Sequence, residues 1–272
     1  MTTRVLLFSL VAVIGLPAMT AAVSGAELIS RKTESGTVVG YKDTPSLPWT
    51  DGKYCVHDPD RPVPKHVTAA AATPGLSPSD AIVLFDGRDV SRFKPTSWKL
   101  EGGYLEAGNG SLETKEAFGD IQLHIEWKAP QEPGAEFMNR GNSGVLLMGL
   151  YEIQIFDSHP VHPQQIYPDG QAASVYGQTP PLVNACRRPG EWQSFDMVFT
   201  APVFDGEKLV KKATVTVFHN GVLVHNHQEI MGPMTHRAIL PYRPHPPRLP
   251  LALQGHGSPV GFRNIWIRPL DR

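Results

Sequence analysis

Glu152 and Gln154 stand two apart in the run Tyr151-Glu152-Ile153-Gln154-Ile155-Phe156-Asp157-Ser158, alternating with Ile153 and Ile155. In an extended strand this spacing puts a carboxyl and an amide on one face and the aliphatics on the other. A carboxyl so placed can transfer a proton. Glu and Asp are poor strand formers, and a merely solvated face would more comfortably carry Thr, Lys or Arg. The plain alternative is one polar face of a half-solvated antiparallel sheet. Asp157 has the parity of the isoleucines. It joins Glu152 and Gln154 only if the strand bulges near Phe156 or ends there.

A second strand carries similar groups. From Asp120 to Ala129, Ile121, Leu123, Ile125 and Trp127 face one way, while Gln122, His124 and Glu126 face the other. If this strand shares a sheet with the Glu152 strand, the two polar faces line a common groove. That places the acid on an interior strand.

These side chains need strands to hold them. Gly141-Asn142-Ser143-Gly144-Val145-Leu146-Leu147-Met148 and the Glu152 run are joined by a turn at Gly149-Leu150, which predicts a hairpin. Further strands are expected at Ala81–Phe85, Trp98–Leu100 with Tyr104–Glu106, Ser111–Thr114, Trp192–Thr200, Lys212–Phe218, Val222–Val224, Leu249–Gln254 and Phe262–Ile267. The segment from about 158 to 190 reads as a long loop of the kind that builds or covers a binding site. With 26 prolines and 25 glycines, long helices are disfavoured. The pattern predicts an all-β, two-sheet jelly-roll β-sandwich spanning residues 79–272.

At the N-terminus, Arg4, the apolar run Val5–Ile14 and the small residues up to Ala26 read as a signal peptide over residues 1–26. The mature chain is thus expected to be exported, periplasmic or extracellular, and without a transmembrane span. Residues 27–78 form an irregular extension and linker, expected to lie on the domain surface. In an oxidising compartment Cys55 and Cys186 are candidates for one disulfide tying that arm to the domain, with two buried thiols as the alternative. A net charge of −1 gives no nucleic-acid footprint and no polybasic membrane surface.

Seven segments occur in an order that resembles a known family: Ala81–Gly87, Gly141–Val145, Tyr151–Asp157, Gly190–Trp192, Asn220–Val222, Leu253–Gly257 and Phe262–Ile265. Together they are similar to the bacterial 3-keto-disaccharide hydrolases, also described as 3-keto-glucoside 1,2-lyase/3-keto-2-hydroxy-glucal hydratases. The resemblance covers about residues 80 to 270. It implies a concanavalin A/laminarinase-like jelly roll with a carbohydrate substrate. Laminarinase-type enzymes carry acids in a Glu-x-Asp-x-(x)-Glu pattern, where this chain has Glu152-x-Gln154-x-x-Asp157. The amide in the middle departs from the two-carboxylate retaining mechanism.

The chemistry that the resemblance implies is different. A ketone at C3 acidifies the C2 hydrogen, so a base removes it, the C1 substituent leaves, and water adds back. Glu152 or Asp157 is placed as the base and His256 as a proton donor or shuttle. Asn142, Gln154 and Gln254 are expected to bind hydroxyl or enolate oxygens, with Arg140 or Arg263 contributing charge. A carboxylate-bound divalent ion polarising the ketone is compatible with this scheme. His225-x-His227 and His159-x-x-His162 are the other metal-ligand pairs in view, without a third ligand at diagnostic spacing. Two rival readings stay open. One is a non-catalytic carbohydrate-binding jelly roll that stacks sugars on Trp98, Tyr151, Tyr167, Tyr176 or Trp192. The other is a conventional glycosidase acting on unoxidised glycans.

Overall fold

The computed structural model describes residues 27–33, 36–66, 77–131 and 139–270. The signal peptide expected at 1–26 and part of the linker lie outside them. In chain order, the arm contributes β1 (Ile29–Thr33), β2 (Gly36–Gly40) and β3 (Lys65–His66). The domain follows with β4 (Ile82–Phe85), β5 (Lys99–Glu101), β6 (Tyr104–Glu106), β7 (Leu112–Phe118), β8 (Ile121–Lys128), β9 (Ser143–Leu147) and β10 (Tyr151–Ile155). Two short strands, β11 (Gln164–Gln165) and β12 (Val183–Asn184), punctuate the next loop. The chain continues through β13 (Gln193–Thr200), β14 (Val203–Asp205), β15 (Lys208–Lys211) and β16 (Thr214–His219). It finishes with β17 (Val222–Glu229), β18 (Leu249–Leu253) and β19 (Gly261–Pro269).

Two antiparallel sheets enclose one apolar core, as the alternation predicts. The larger runs β17-β16-β13-β8-β19-β6-β5, with β4 also on β19; the smaller runs β10-β9-β18-β7. Ile121, Leu123, Ile125 and Trp127 of β8 meet Val145 and Leu147 of β9 and Tyr151, Ile153 and Ile155 of β10 in that core. Each such side chain contributes about 1.5–3 kcal/mol when fully buried. The period-two pattern follows directly: one parity is drawn into the core and the other is left on the outer face.

This arrangement corrects the expectation of a common groove. β8 lies in the large sheet and β10 in the small one, so their polar parities emerge on opposite outer faces of the sandwich. β10 is an edge strand, not an interior one. Its free edge is covered by the following loop: Gln154 N–H donates to Ser174 O (2.9 Å), Ala173 N–H to Gln154 O (2.8 Å) and Tyr176 N–H to Glu152 O (3.1 Å). Covering an edge in this way satisfies backbone groups that would otherwise template pairing with another chain.

The arm is docked on that loop by two short parallel ladders, β2 with β11 and β3 with β12. Val38, Val39, Leu47 and Val56 of the arm are fully buried. Cys55 and Cys186 are both buried free thiols, so no disulfide joins arm to domain. Cys55 lies by the Tyr41 carbonyl and Asp58, and Cys186 by the Arg187 carbonyl and the Gln193 amide. Burial raises the pKa of both, that of Cys186 to about 12, which leaves them unreactive as thiolates. Among the described residues no helix is long and apolar enough to cross a membrane.

Candidate active site

The site is built outward from the β9–β10 hairpin. Its register pairs Glu152 with Leu146 and Gln154 with Gly144. Glu152 and Gln154 therefore share the outer face with Gly144, across from the core isoleucines. A Cβ on Gly144 would lie 2.1 Å from Glu152 Oε1. The glycine is there because the carboxyl occupies the space a side chain would need. Glu152 is 3% exposed. Among the described residues nothing pairs or hydrogen-bonds with its carboxyl. Burial alone raises its pKa from 4.5 to about 8. A buried acid left uncompensated in a cleft is a functional-site signal.

Glu152 opens into a pocket of about 510 Å³, within the roughly 300–1,000 Å³ usual for small-molecule sites. One side is polar, with Asn142, Gln154, Gln254 and His256 beside the carboxyl. Gln254 is set by β18: its N–H donates to Gly144 O (2.9 Å) and its carbonyl accepts from Ser143 Oγ (2.6 Å). The Oε1 atoms of Gln154 and Gln254 are buried without a partner among the described residues, a cost of about 1–3 kcal/mol each that a bound ligand would relieve. His256 follows Gly255, which is pressed against the Gly108 and Gly110 carbonyls; a Cβ there would lie 2.2 Å from both.

Aromatic and apolar side chains complete the lining: Tyr41, Tyr167 and Tyr176 with Ile166 and Met234. The Tyr167 and Tyr176 hydroxyls are 3.2 Å apart, and the Tyr176 hydroxyl lies 2.9 Å from His236 Nδ1. One side of the His236 ring stays open to solvent. Even so, burial of the rest, followed by the nearby His57, Arg237 and His256, pushes its pKa down to about 4. Tyr41 and His236 escaped the sequence reading because both lie in aperiodic, proline-rich stretches. Tyr167 and Tyr176 were legible only as aromatics in a long loop.

The structure brings five of the expected site residues into one pocket, namely Glu152, Gln154, Asn142, Gln254 and His256, and leaves three outside. Phe156, not Asp157, keeps the parity of Glu152, and it packs with Tyr41, Ile166 and Tyr167. No bulge re-aims Asp157. Its buried carboxylate is 2.6 Å from His162 Nε2 and 3.7 Å from Arg140 Nε. Arg140 donates to the Asp157 and Gln164 carbonyls (3.1–3.2 Å). Both residues brace the loop behind the pocket. Arg263 lies on the outer face of the large sheet, 2.6 Å from Glu126 and stacked on Trp192 at 4.1 Å.

The expected stacking aromatics divide the same way. Trp98 and Tyr151 are core residues, and Trp192 lies with Arg263. His225 is buried and donates to the Ala173 carbonyl (2.9 Å), while His227 is exposed. A register irregularity in the β16–β17 pairing separates the faces of those two histidines. Among the described residues no three His, Cys, Asp or Glu side chains are grouped to hold a metal ion, so no step is assigned to one.

A β-sandwich with an uncompensated carboxyl in a pocket of amides and tyrosines is suited to acid–base chemistry on a polar small molecule, and its similarities place it in the carbohydrate-active, glycosyl-hydrolase-like class. Residues 80–268 match the model of the 3-keto-alpha-glucoside-1,2-lyase-like domain, and the chain belongs to that family. A crystal structure of a candidate glycosyl hydrolase from Parabacteroides distasonis is similar at 40% identity with a TM-score of 0.68, over 77% of this chain and 93% of that one. Two more candidate glycosyl hydrolases from the same organism share the fold at 20% and 23% identity, with TM-scores of 0.53 and 0.52. They cover 73% and 70% of this chain and are themselves 99% covered. A search of curated proteins found no match.

Proposed function

We propose that this protein cleaves the glycosidic bond of 3-keto-glucosides or 3-keto-disaccharides by elimination followed by hydration. The observation that carries the reading is the Glu152 carboxyl, raised to about 8 in a pocket where it has no cationic partner. A carboxylate of that basicity is better matched to removing a hydrogen from carbon than an ordinary one.

In the first half-reaction ionised Glu152 takes the C2 proton. The C2–H electrons form the C1=C2 bond, and the C1–O bond breaks. The departing oxygen receives its proton from His256. The side-chain N–H groups of Gln154, Gln254 and Asn142 are donors suited to the C3 oxygen as it gains enolate character. In the second half-reaction water adds its oxygen to C1 while giving a proton back to the His256 imidazole, and Glu152 returns its proton to C2, giving net hydrolysis with both residues restored. Asp157, Arg140 and Arg263 take no part.

Incubation with 3-keto-trehalose beside trehalose tests this. The expected result is release of product from the ketone and none from the parent. Cleavage of the parent would favour a conventional glycosidase, and binding without turnover would favour a lectin-like module. Export is proposed alongside, supported by Arg4, the apolar run 5–14 and the small residues that follow. N-terminal sequencing of mature protein should begin near residue 27, and an intact N-terminus would refute it.

A further inference from the structure

The arm lies outside the family-matched residues 80–268, yet Tyr41 from it forms part of the pocket wall. We infer that Tyr41 is a substrate-binding residue supplied by the arm, its ring and hydroxyl forming a sugar-contacting part of the pocket that also holds Glu152. The inference rests on the pocket being the substrate site.

Three features support it. The Tyr41 hydroxyl has no hydrogen-bond partner among the described residues, although Tyr167 and Tyr176 beside it are bonded to each other. A phenol at a pocket wall offers an apolar ring to the C–H face of a pyranose and a donor to its hydroxyls. Its position is also fixed at considerable cost. Tyr41 N–H donates to His57 O (2.8 Å), and the fully buried His57 ties together the two loops that carry the rest of the wall. The His57 Nε2 accepts from Arg237 N–H (3.3 Å), which places the ring proton on Nδ1, 3.2 Å from Asp169.

The His57 backbone N–H and Arg61 also donate to Asp169 (3.1 and 3.0 Å). Burial works against the Asp169 charge, but His57 and Arg61 hold its pKa below the usual range. The His57 ring stacks on Tyr167 at 4.0 Å. His57 itself takes a positive φ of 60°, a conformation non-glycine residues rarely adopt. On the far side Arg237 lies over the Tyr41 ring at 5.2 Å and His236 meets it edge-on at 6.2 Å. A surface strap would need none of this.

The test is steady-state kinetics of the full chain on 3-keto-trehalose for Tyr41→Leu, Tyr41→Phe and Arg31→Ala. Arg31 sits in an exposed ion pair with Asp60 elsewhere on the arm. Tyr41→Leu should raise KM about tenfold, equivalent to about 1.4 kcal/mol, with kcat within about twofold. Tyr41→Phe should show the smaller part that the hydroxyl carries, and Arg31→Ala should leave both constants unchanged. A wild-type KM in Tyr41→Leu would overturn the inference. So would a fall in kcat and Tm together with an unmoved KM, which is how a mere brace behaves. If the wild type does not turn over the ketone, the proposed chemistry fails separately. Tyr41 is then judged by calorimetric Kd for 3-keto-trehalose and trehalose. The same tenfold weakening is expected, and an unchanged Kd would refute the role.

Discussion

At the residue scale the account depends on a carboxyl kept neutral by its surroundings. The Glu152 pKa is raised from 4.5 to about 8, so the unfolded chain ionises first as pH rises. The native state therefore loses stability between about pH 4.5 and 8, and the loss is constant above that. Glu152→Gln removes this loss. Its Tm should match wild type near pH 4 and exceed it by several degrees at pH 8.5, as calorimetry would show; equal Tm values at both pH values would remove the premise. The same substitution should lower kcat/KM on a 3-keto-glucoside by about 10²–10⁴, the usual contribution of a general base. As the base acts only when ionised and His256 donates only when protonated, wild-type kcat/KM should be bell-shaped in pH. A pH-independent kcat/KM would remove both roles.

At the element scale the β9–β10 hairpin does the positioning, and Gly144 is its most sensitive point. Its φ is not in the left-handed region, so alanine fits the backbone there. The atoms nearest a new methyl would be Oε1, Cδ and Cγ of Glu152, at 2.1–2.8 Å. Gly144→Ala should keep Tm within a few degrees yet lose most activity, with circular dichroism and kinetics measured on one sample. A wild-type rate would show that the carboxyl need not stand where it does. The hairpin was legible from sequence because period-two alternation and a Gly149-Leu150 turn are local signals. Which sheet each strand joins is set by non-local pairing. For that reason the polar faces of β8 and β10 were expected together and are found on opposite sides. Asp157 was expected in the site on a bulge that does not form, since Phe156 is held by its own aromatic cluster.

At the scale of the whole molecule, the outer face of the large sheet carries its own polar cluster. Burial pulls the His124 pKa down, but Asp196 and Glu126 outweigh it and raise it to about 9. Arg263 there pairs with Glu126. Arg263→Ala should alter kcat/KM by less than about twofold, because its pair with the buried Glu126 lies on the outer face of the large sheet, away from the pocket; a large loss would bring that face into the reaction. With both cysteines free and apart, reductant should leave Tm unchanged. The arm is where the sequence was least readable. It has no periodicity, and its place in the pocket arises from buried groups such as His57 and Arg61 meeting Asp169 more than 100 residues away. Short motifs cannot announce a contact of that kind.

The central claim is that the pocket removes a proton from C2 of an oxidised sugar. The most direct measurement is the single-turnover cleavage rate of 3-keto-trehalose carrying deuterium at C2 of the oxidised ring, beside the unlabelled compound. Proton removal predicts that deuterium slows cleavage severalfold in the wild type. Equal rates for the two compounds, with product still formed, would contradict it and point to direct displacement at C1.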